Sequence, residues 1–209
     1  MSLKPPPKPR RDPERTRERL LQAAFDEVHR SGFRGSDLDS ILRLAGVSKG
    51  ALYHHFDNKE ALGYAVVDEL IAESMLAKWL RPLQNAEDPL AALTAVVQSD
   101  ALTPEDIALG CPLNNLAQEM SPLDEGFRKR LAKVFNDWHG GITAALRSGQ
   151  KRGLVRGDIR PSDVAWFFVA AYEGYVSLAK TSRDARVWRA GKRTLKRYLT
   201  SLRPSGGQI

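Results

Sequence analysis

Apolar residues recur at intervals of three and four almost throughout the chain. No stretch alternates strictly between apolar and polar or carries hairpin turn dipeptides. The pattern predicts an all-α protein. A first helix opens at Asp12-Pro13, a capping residue followed by proline, or one turn later at Thr16. Its apolar stripe is Leu20, Leu21, Ala24, Phe25 and Val28, and Gly32 ends it. Ser36-Asp37-Leu38-Asp39 reads as a capping-box variant that opens a short helix with Leu38, Ile41, Leu42 and Ala45 inward. Gly46 stops that helix, Val47 plugs the turn, and Ser48 caps a third helix packed inward by Leu52 and Phe56. Asn58 caps a fourth that runs through Leu62, Val66, Leu70 and Trp79 to Pro82.

Five further helices are expected from the breaks at Asp88-Pro89, Thr103-Pro104, Gly110-Cys111-Pro112, Ser121-Pro122 and Arg160-Pro161-Ser162. The segment from Pro122 to Gly149 carries Phe127, Leu131, Val134, Phe135, Trp138, Ile142 and Leu146 on one stripe. Ser162 to Lys180 is apolar on more than one face, which predicts cover from a partner subunit as well as from its own domain. Gly174 and Ser177 permit close approach there, and together with the last helix, Ala185 to Leu202, this segment is the expected four-helix dimer contact.

Composition narrows the class. Among 209 residues, 27% are charged, and no apolar run approaches the ~18 residues of a membrane span, so a soluble, cytoplasmic protein with no membrane contact is expected. The N-terminus lacks the apolar core of a secretory signal. A single cysteine, Cys111, excludes an internal disulfide and a multi-cysteine zinc site; no cofactor or metal is implied. The net charge of +7 is uneven: residues 1–19 hold seven Lys/Arg against three Asp/Glu, and residues 183–209 eight against one. The remainder is mildly acidic. The basic stripe of the last helix, from Arg183 to Arg197, reads as a solvated face.

Residues 36–56 form the pattern helix, glycine turn, apolar plug, second helix, which is a helix-turn-helix. Gly46 allows the positive φ of the turn, Val47 fixes the interhelical angle, and Leu52 with Phe56 anchors the second helix so that its other face projects. That face carries Lys49, Gly50, Ala51, Tyr53, His54 and His55. Small Gly50 and Ala51 let the backbone approach a major groove, while Lys49 and Tyr53 reach phosphates. The segment 20–62 holds five Lys/Arg against six Asp/Glu, so counterion release requires cations from elsewhere. The arm supplies them at Lys4, Lys8, Arg10, Arg11, Arg15 and Arg17, either tracking the backbone, entering a minor groove, or serving only as a solubilising tail.

The stretch from Arg17 to Leu62, above all Ala45-Gly46-Val47-Ser48-Lys49-Gly50-Ala51-Leu52-Tyr53-His54-His55-Phe56-Asp57-Asn58-Lys59-Glu60-Ala61-Leu62, resembles the DNA-binding domain of TetR-family transcriptional regulators. The resemblance implies an all-α homodimer of about nine helices per subunit, with a small helix-turn-helix domain and a larger effector and dimerisation domain. The expected division is an arm over 1–14, a DNA-binding domain over 15–62, an effector-binding and dimerisation domain over 63–202 and a disordered tail over 203–209. The implied activity is repression at a palindromic double-stranded DNA operator, relieved by a small apolar or electrophilic effector. Carried over by position, Arg17, Ser36, Ser48, Lys49, Gly50, Ala51, Tyr53, His54 and Lys59 are the expected DNA contacts, with Lys59 at a phosphate.

Gly110-Cys111-Pro112-Leu113, Leu116-Ala117-Gln118-Glu119 and Glu173-Gly174 further resemble a TetR subgroup in which some members respond to electrophiles or oxidants through a cysteine near this position. At a helix N-cap the dipole would favour the Cys111 thiolate, although a free cysteine is more commonly a small buried hydrophobe. Expected effector-pocket residues are Met75, Trp79, Cys111, Leu116, Glu119, Phe135, Trp138, His139, Trp166 and Glu173, aromatic walls with a few polar groups. An all-α enzyme using Cys111 with His139, or Glu119 with Glu173, is the rival class, but it leaves the helix-turn-helix unexplained. A non-specific architectural DNA binder is a third reading, distinguished by equal affinity for all sequences.

Overall fold

The computed structural model describes residues 12–204. The arm cations Lys4, Lys8, Arg10 and Arg11 and residues 205–209 of the tail lie outside the described residues. Among the described residues there are helices and no strand. No helix of these is long and apolar enough to cross a membrane. The chain divides into two compact units, Met1–Val66 and Val67–Ile209.

The first unit contains α1 (Pro13–Ser31), α2 (Leu38–Ala45), α3 (Lys49–His55) and α4 (Lys59–Ala65). Asp12 caps α1, accepting from the Arg15 amide at 3.3 Å. The α1 stripe Leu20, Leu21, Ala24 and Val28 is buried with Ile41, Leu42 and Ala45 of α2, Leu52 of α3 and Leu62 of α4. α1 packs against α2, α3 and α4, so a single apolar stripe gathers all three short helices. Helices this short are marginal alone and owe their stability to that burial.

The second unit, from Val67, is entered through a helical rod in which π-helical turns, Val66–Ile71 and Leu76–Leu80, flank α5 (Ala72–Met75). A 3-10 turn, Arg81–Leu83, ends it at Pro82. There follow α6 (Pro89–Ser99), α7 (Pro104–Leu109), α8 (Pro112–Met120), α9 (Glu125–Lys151), α10 (Pro161–Ser182) and α11 (Ala185–Ser201). Proline occupies the first turn of α6, α7, α8 and α10, where its missing N–H costs nothing. Pro122 departs from that expectation. The Leu123 and Asp124 amides donate back to the Met120 carbonyl at 3.1 and 3.0 Å, closing a turn, and the helix starts three residues later. Asp124 wins the start because its carboxylate accepts from the Phe127 amide at 2.8 Å.

The core of this unit is aromatic. Trp79 lies 4.9 Å from Trp138, 5.6 Å from Phe168 and 4.7 Å from Tyr172, and Tyr172 lies 5.3 Å from Trp188. Most of these rings meet edge to face, which suits the aromatic quadrupole. All five rings are buried.

Candidate functional sites

In the first unit the sequence builds a fixed frame for α3. Gly46 adopts φ +61°, a left-handed conformation open to glycine without strain, and its N–H returns to the Arg43 carbonyl. The Gly46 carbonyl accepts from Arg19 Nη2 at 3.3 Å. Arg19 therefore pins the turn to α1, a contact 27 residues apart that no local pattern announces. Asp37 caps α2, accepting from the Ser40 amide at 3.0 Å, and that amide holds its carboxyl below the ordinary carboxylate range. Ser48 caps α3, accepting from the Ala51 amide at 3.3 Å.

With Leu52 and Phe56 buried, the opposite side of α3 presents Lys49, Gly50, Tyr53 and His54 to solvent, Tyr53 with 49% of its surface exposed. A groove of about 700 Å³ runs beside it, lined by Pro13, Thr16 and Arg19 of α1 and by Gly46, Ser48, Gly50, Ala51 and His54. Of the expected contacts, Ser48, Gly50, Ala51 and His54 share this groove. Lys49 and Tyr53 stand exposed on the same short helix.

Three expected DNA contacts also make contacts within the chain. Ser36 is buried, and its hydroxyl donates to the Phe33 carbonyl at 2.7 Å; it neither caps α2 nor faces outward. Lys59 Nζ donates to the carbonyls of Phe33 at 2.7 Å and Ser36 at 2.6 Å and lies 4.8 Å above the Phe33 ring. The ammonium thus clamps α4 to the α1–α2 corner, since two orphan carbonyls outcompete solvent for a nearby cation. Arg17 lays its guanidinium over the Phe56 ring at 5.3 Å.

In the second unit the expected pocket residues divide among several environments. Trp79 and Trp138 belong to the ring core, and Leu116 is also buried. Phe135 and Glu119 are half-buried. Met75 and Trp138 line a groove of about 740 Å³ between the rod and α9, together with Ala72, Leu76, Leu80 and Val134. The carboxylates at its margin are paired with cations: Asp68 with Arg130 at 2.9 Å, Glu73 with Arg81 at 2.5 Å, and Asp137 with Lys133, itself a lining residue, at 2.6 Å. His139 is occupied elsewhere: its ring stacks on Trp166 at 4.0 Å, and Nε2 lies 3.1 Å from the Ser162 carbonyl oxygen. It therefore does not pair with the thiol of Cys111.

Cys111 sits at the N-cap of α8 without a side-chain capping bond. Burial first, then the charge of Glu173 beside it, pushes the thiol well above its ordinary pKa. The helix dipole expected to favour a thiolate is overridden, because desolvation and a neighbouring carboxylate both penalise a second negative charge. Glu173 is 6% exposed, and neither carboxylate oxygen has a hydrogen-bond partner of good geometry among the described residues. Burial raises its pKa to about 7, with the Cys111 thiol and the Lys78 charge pulling the other way. Lys78 is itself satisfied, donating to Tyr172 Oη at 2.7 Å and pairing with Asp100 at 3.0 Å. Tyr172 Oη also donates to Asp100, at 2.6 Å. Trp138 Nε1 is a further buried polar atom with no hydrogen-bond partner among the described residues. Sequence reasoning named Glu173 and Trp138, but it missed the Lys78–Tyr172–Asp100 network, whose members are more than 20 residues apart.

α10 also exposes large apolar side chains: Trp166 at 45%, Phe167 at 52% and Leu178 at 60%. Gly174 lies on the same helix with open space where a Cβ would be.

Comparison with known proteins places this geometry in context. A family profile described as "Bacterial regulatory proteins, tetR family" matches residues 20–66, and one described as "Tetracyclin repressor-like, C-terminal domain" matches residues 86–195. The chain is similar to an uncharacterized HTH-type transcriptional regulator in the lacX 3′ region of Lactococcus lactis, at 31% identity over 82% of this chain and 87% of that protein. It is also similar to the HTH-type transcriptional repressor DhaR of Mycobacterium sp. (strain GP1), at 26% identity over 80% of this chain and 84% of that protein. Among solved structures it resembles a regulatory protein TetR from Rhodobacter sphaeroides, with a TM-score of 0.78 at 26% identity, covering 88% of this chain and 98% of that one.

Proposed function

Because the chain belongs to the TetR family of transcriptional regulators, which bind DNA and are not enzymes, we propose that it is a cytoplasmic homodimeric repressor released from a palindromic operator by a small-molecule effector. The observation that carries the DNA-binding half is the exposed side of α3, with Lys49, Gly50, Tyr53 and His54 presented by a buried Leu52–Phe56 anchor. Ser48 and Ala51 complete the surface that follows the groove. Lys49 and Tyr53 supply phosphate contacts, and Gly50 and Ala51 admit the backbone to base edges. Arg17 and Lys59 contribute by holding α3 in place, and Ser36 by fixing the corner they hold.

Dimerisation is supported by the apolar face of α10. Phe167 and Leu178 in water cost free energy that a symmetry-related copy recovers, and Gly174 lets the backbones approach. Two recognition helices then meet major grooves about 34–36 Å apart, which requires a palindrome. The effector site is the interior of the second unit, where the rings of Trp79, Trp138 and Tyr172 surround groups with unmet polar demand. Cys111 serves this site as a neutral thiol, so a non-covalent effector fits better than an electrophile.

Incubating the full-length protein with sheared genomic DNA of its source at physiological salt, and sequencing retained fragments, tests the proposal. A small set of fragments sharing an inverted repeat is expected. Retention of all sequences alike identifies a non-specific binder and overturns it.

A further inference from the structure

Among the described residues of the second unit, Glu173 is a buried acid whose carboxylate oxygens have no hydrogen-bond partner. Lys78 and Asp100 neutralise each other at 3.0 Å, and Tyr172 bridges them. Glu173, the next residue on α10, is buried with both oxygens unpaired. A buried carboxylate without donors is expensive, and native proteins rarely keep one without a use. The polar group beside it, the Cys111 thiol, is only a weak donor.

The surroundings favour positive charge. Lys78 Nζ already lies 5.4 Å from the Trp79 ring centroid and 5.2 Å from that of Tyr172, so the ring cluster accommodates an ammonium in this structure. Trp138 joins the same cluster, 5.7 Å from Tyr172. Aromatic faces and an unpaired carboxyl select the same sign of ligand.

We infer that Glu173 is the charge-reading group of the effector site, and that the site takes a small organic cation whose N–H groups pair with the unpaired carboxylate while its apolar part lies among Trp79, Trp138 and Tyr172. This rests on the reading of the second unit as the effector domain. It adds what that reading leaves open, the chemical class of the ligand. The charged groups around Glu173 are Lys78 and Asp100, already paired, and the titratable neighbours Cys111 and Tyr172, both pushed up by burial and therefore neutral. Glu173 is thus the group that ionises near neutrality, and a bound cation favours its charged form.

The test uses full-length protein and four matched probes: benzylammonium, benzyltrimethylammonium, benzyl alcohol and benzoate, followed by intrinsic tryptophan fluorescence and calorimetry. Benzylammonium should bind at least about tenfold more tightly than the alcohol or benzoate. The quaternary probe, lacking N–H donors, should fall between. Affinity for benzylammonium should rise as pH rises through 7, with proton release below that pH. Glu173→Gln should lose the preference for cations while keeping operator affinity on the recovered fragments, and Glu173→Asp should restore part of it. Equal binding of the neutral probe, an unchanged preference in Glu173→Gln, or no saturation by either cation up to about 10 mM overturns the inference. The wild-type pH profile keeps the inference falsifiable if Glu173→Gln fails to fold. If benzylammonium binds through Glu173 without changing operator affinity, the cation site stands and its effector role fails. If the wild type retains no specific DNA at all, the regulatory reading fails independently.

Discussion

The two units treat buried polar groups in opposite ways. In the first, Ser36, Lys59 and the Gly46 carbonyl each find a partner within the unit, and the outward side of α3 is left for something else. In the second, the Lys78–Tyr172–Asp100 network is closed, yet Glu173 and Trp138 Nε1 beside it stay unpaired in the interior. A recognition helix works only if its orientation is settled before DNA arrives, so satisfied polar contacts around it reduce the cost of ordering. A site that must respond gains from polar groups satisfied only when a ligand is present, because differential interaction is what moves an equilibrium. The first unit is preorganised, and the second holds unmet demand.

Breaking the first frame should have the largest effect. Leu52 is fully buried, and Leu52→Ala should destabilise the N-terminal unit by about 3–4 kcal/mol and abolish operator binding, while benzylammonium binding by the second unit persists; thermal unfolding and fluorescence titration measure the two separately. Next is the apolar face of α10. Leu178→Glu should shift the protein from dimer to monomer in light scattering and weaken operator binding by about a hundredfold through lost bivalency. A variant that stays dimeric would move the interface elsewhere.

Glu173 sharpens the contrast through pH. Its pKa is near 7 in the fold, against 4.5 for an unperturbed glutamate, so the folded state holds a proton that the unfolded chain releases. Stability contributed by this group should be fully present below pH 4.5 and should fall as pH rises to about 7, by at most about 3 kcal/mol. Chemical denaturation at several pH values should show that Glu173→Gln flattens this dependence, and that a bound cation restores stability at high pH. The smallest effect concerns Lys59. Lys59→Met should cost about 2 kcal/mol of N-terminal stability by leaving the Phe33 and Ser36 carbonyls without their donor. It should leave the salt slope of operator binding unchanged, whereas loss of a phosphate contact would lower that slope by about 1.

What the sequence disclosed follows from the range over which each feature acts. Gly46, Val47, Ser48, Leu52 and Phe56 carry the helix-turn-helix within eleven residues, so turn, cap and anchors are all local and legible. Capping by Asp12, Asn58, Asp88 and Thr103 was legible for the same reason. Ser121-Pro122 misled because a second cap, Asp124, competes two residues later, and the proline closes a turn instead. Lys59 and Arg19 look like ordinary surface cations until the fold brings them to carbonyls 26 and 27 residues away. Glu173 could be picked out as a polar group on an apolar helix. Its isolation depends on Lys78 being taken by Asp100, a pairing between distant segments that periodicity does not encode.

The central claim is that the exposed side of α3 reads a specific DNA sequence. The most direct test is the affinity ratio between a recovered palindromic fragment and unrelated DNA, measured at one fixed salt concentration for wild type and Tyr53→Ala. The account predicts a ratio of about 10³ or more for the wild type and its collapse in the variant, with Tyr53 exposed and the fold intact. A ratio near one in the wild type, or an undiminished ratio in Tyr53→Ala, would contradict it.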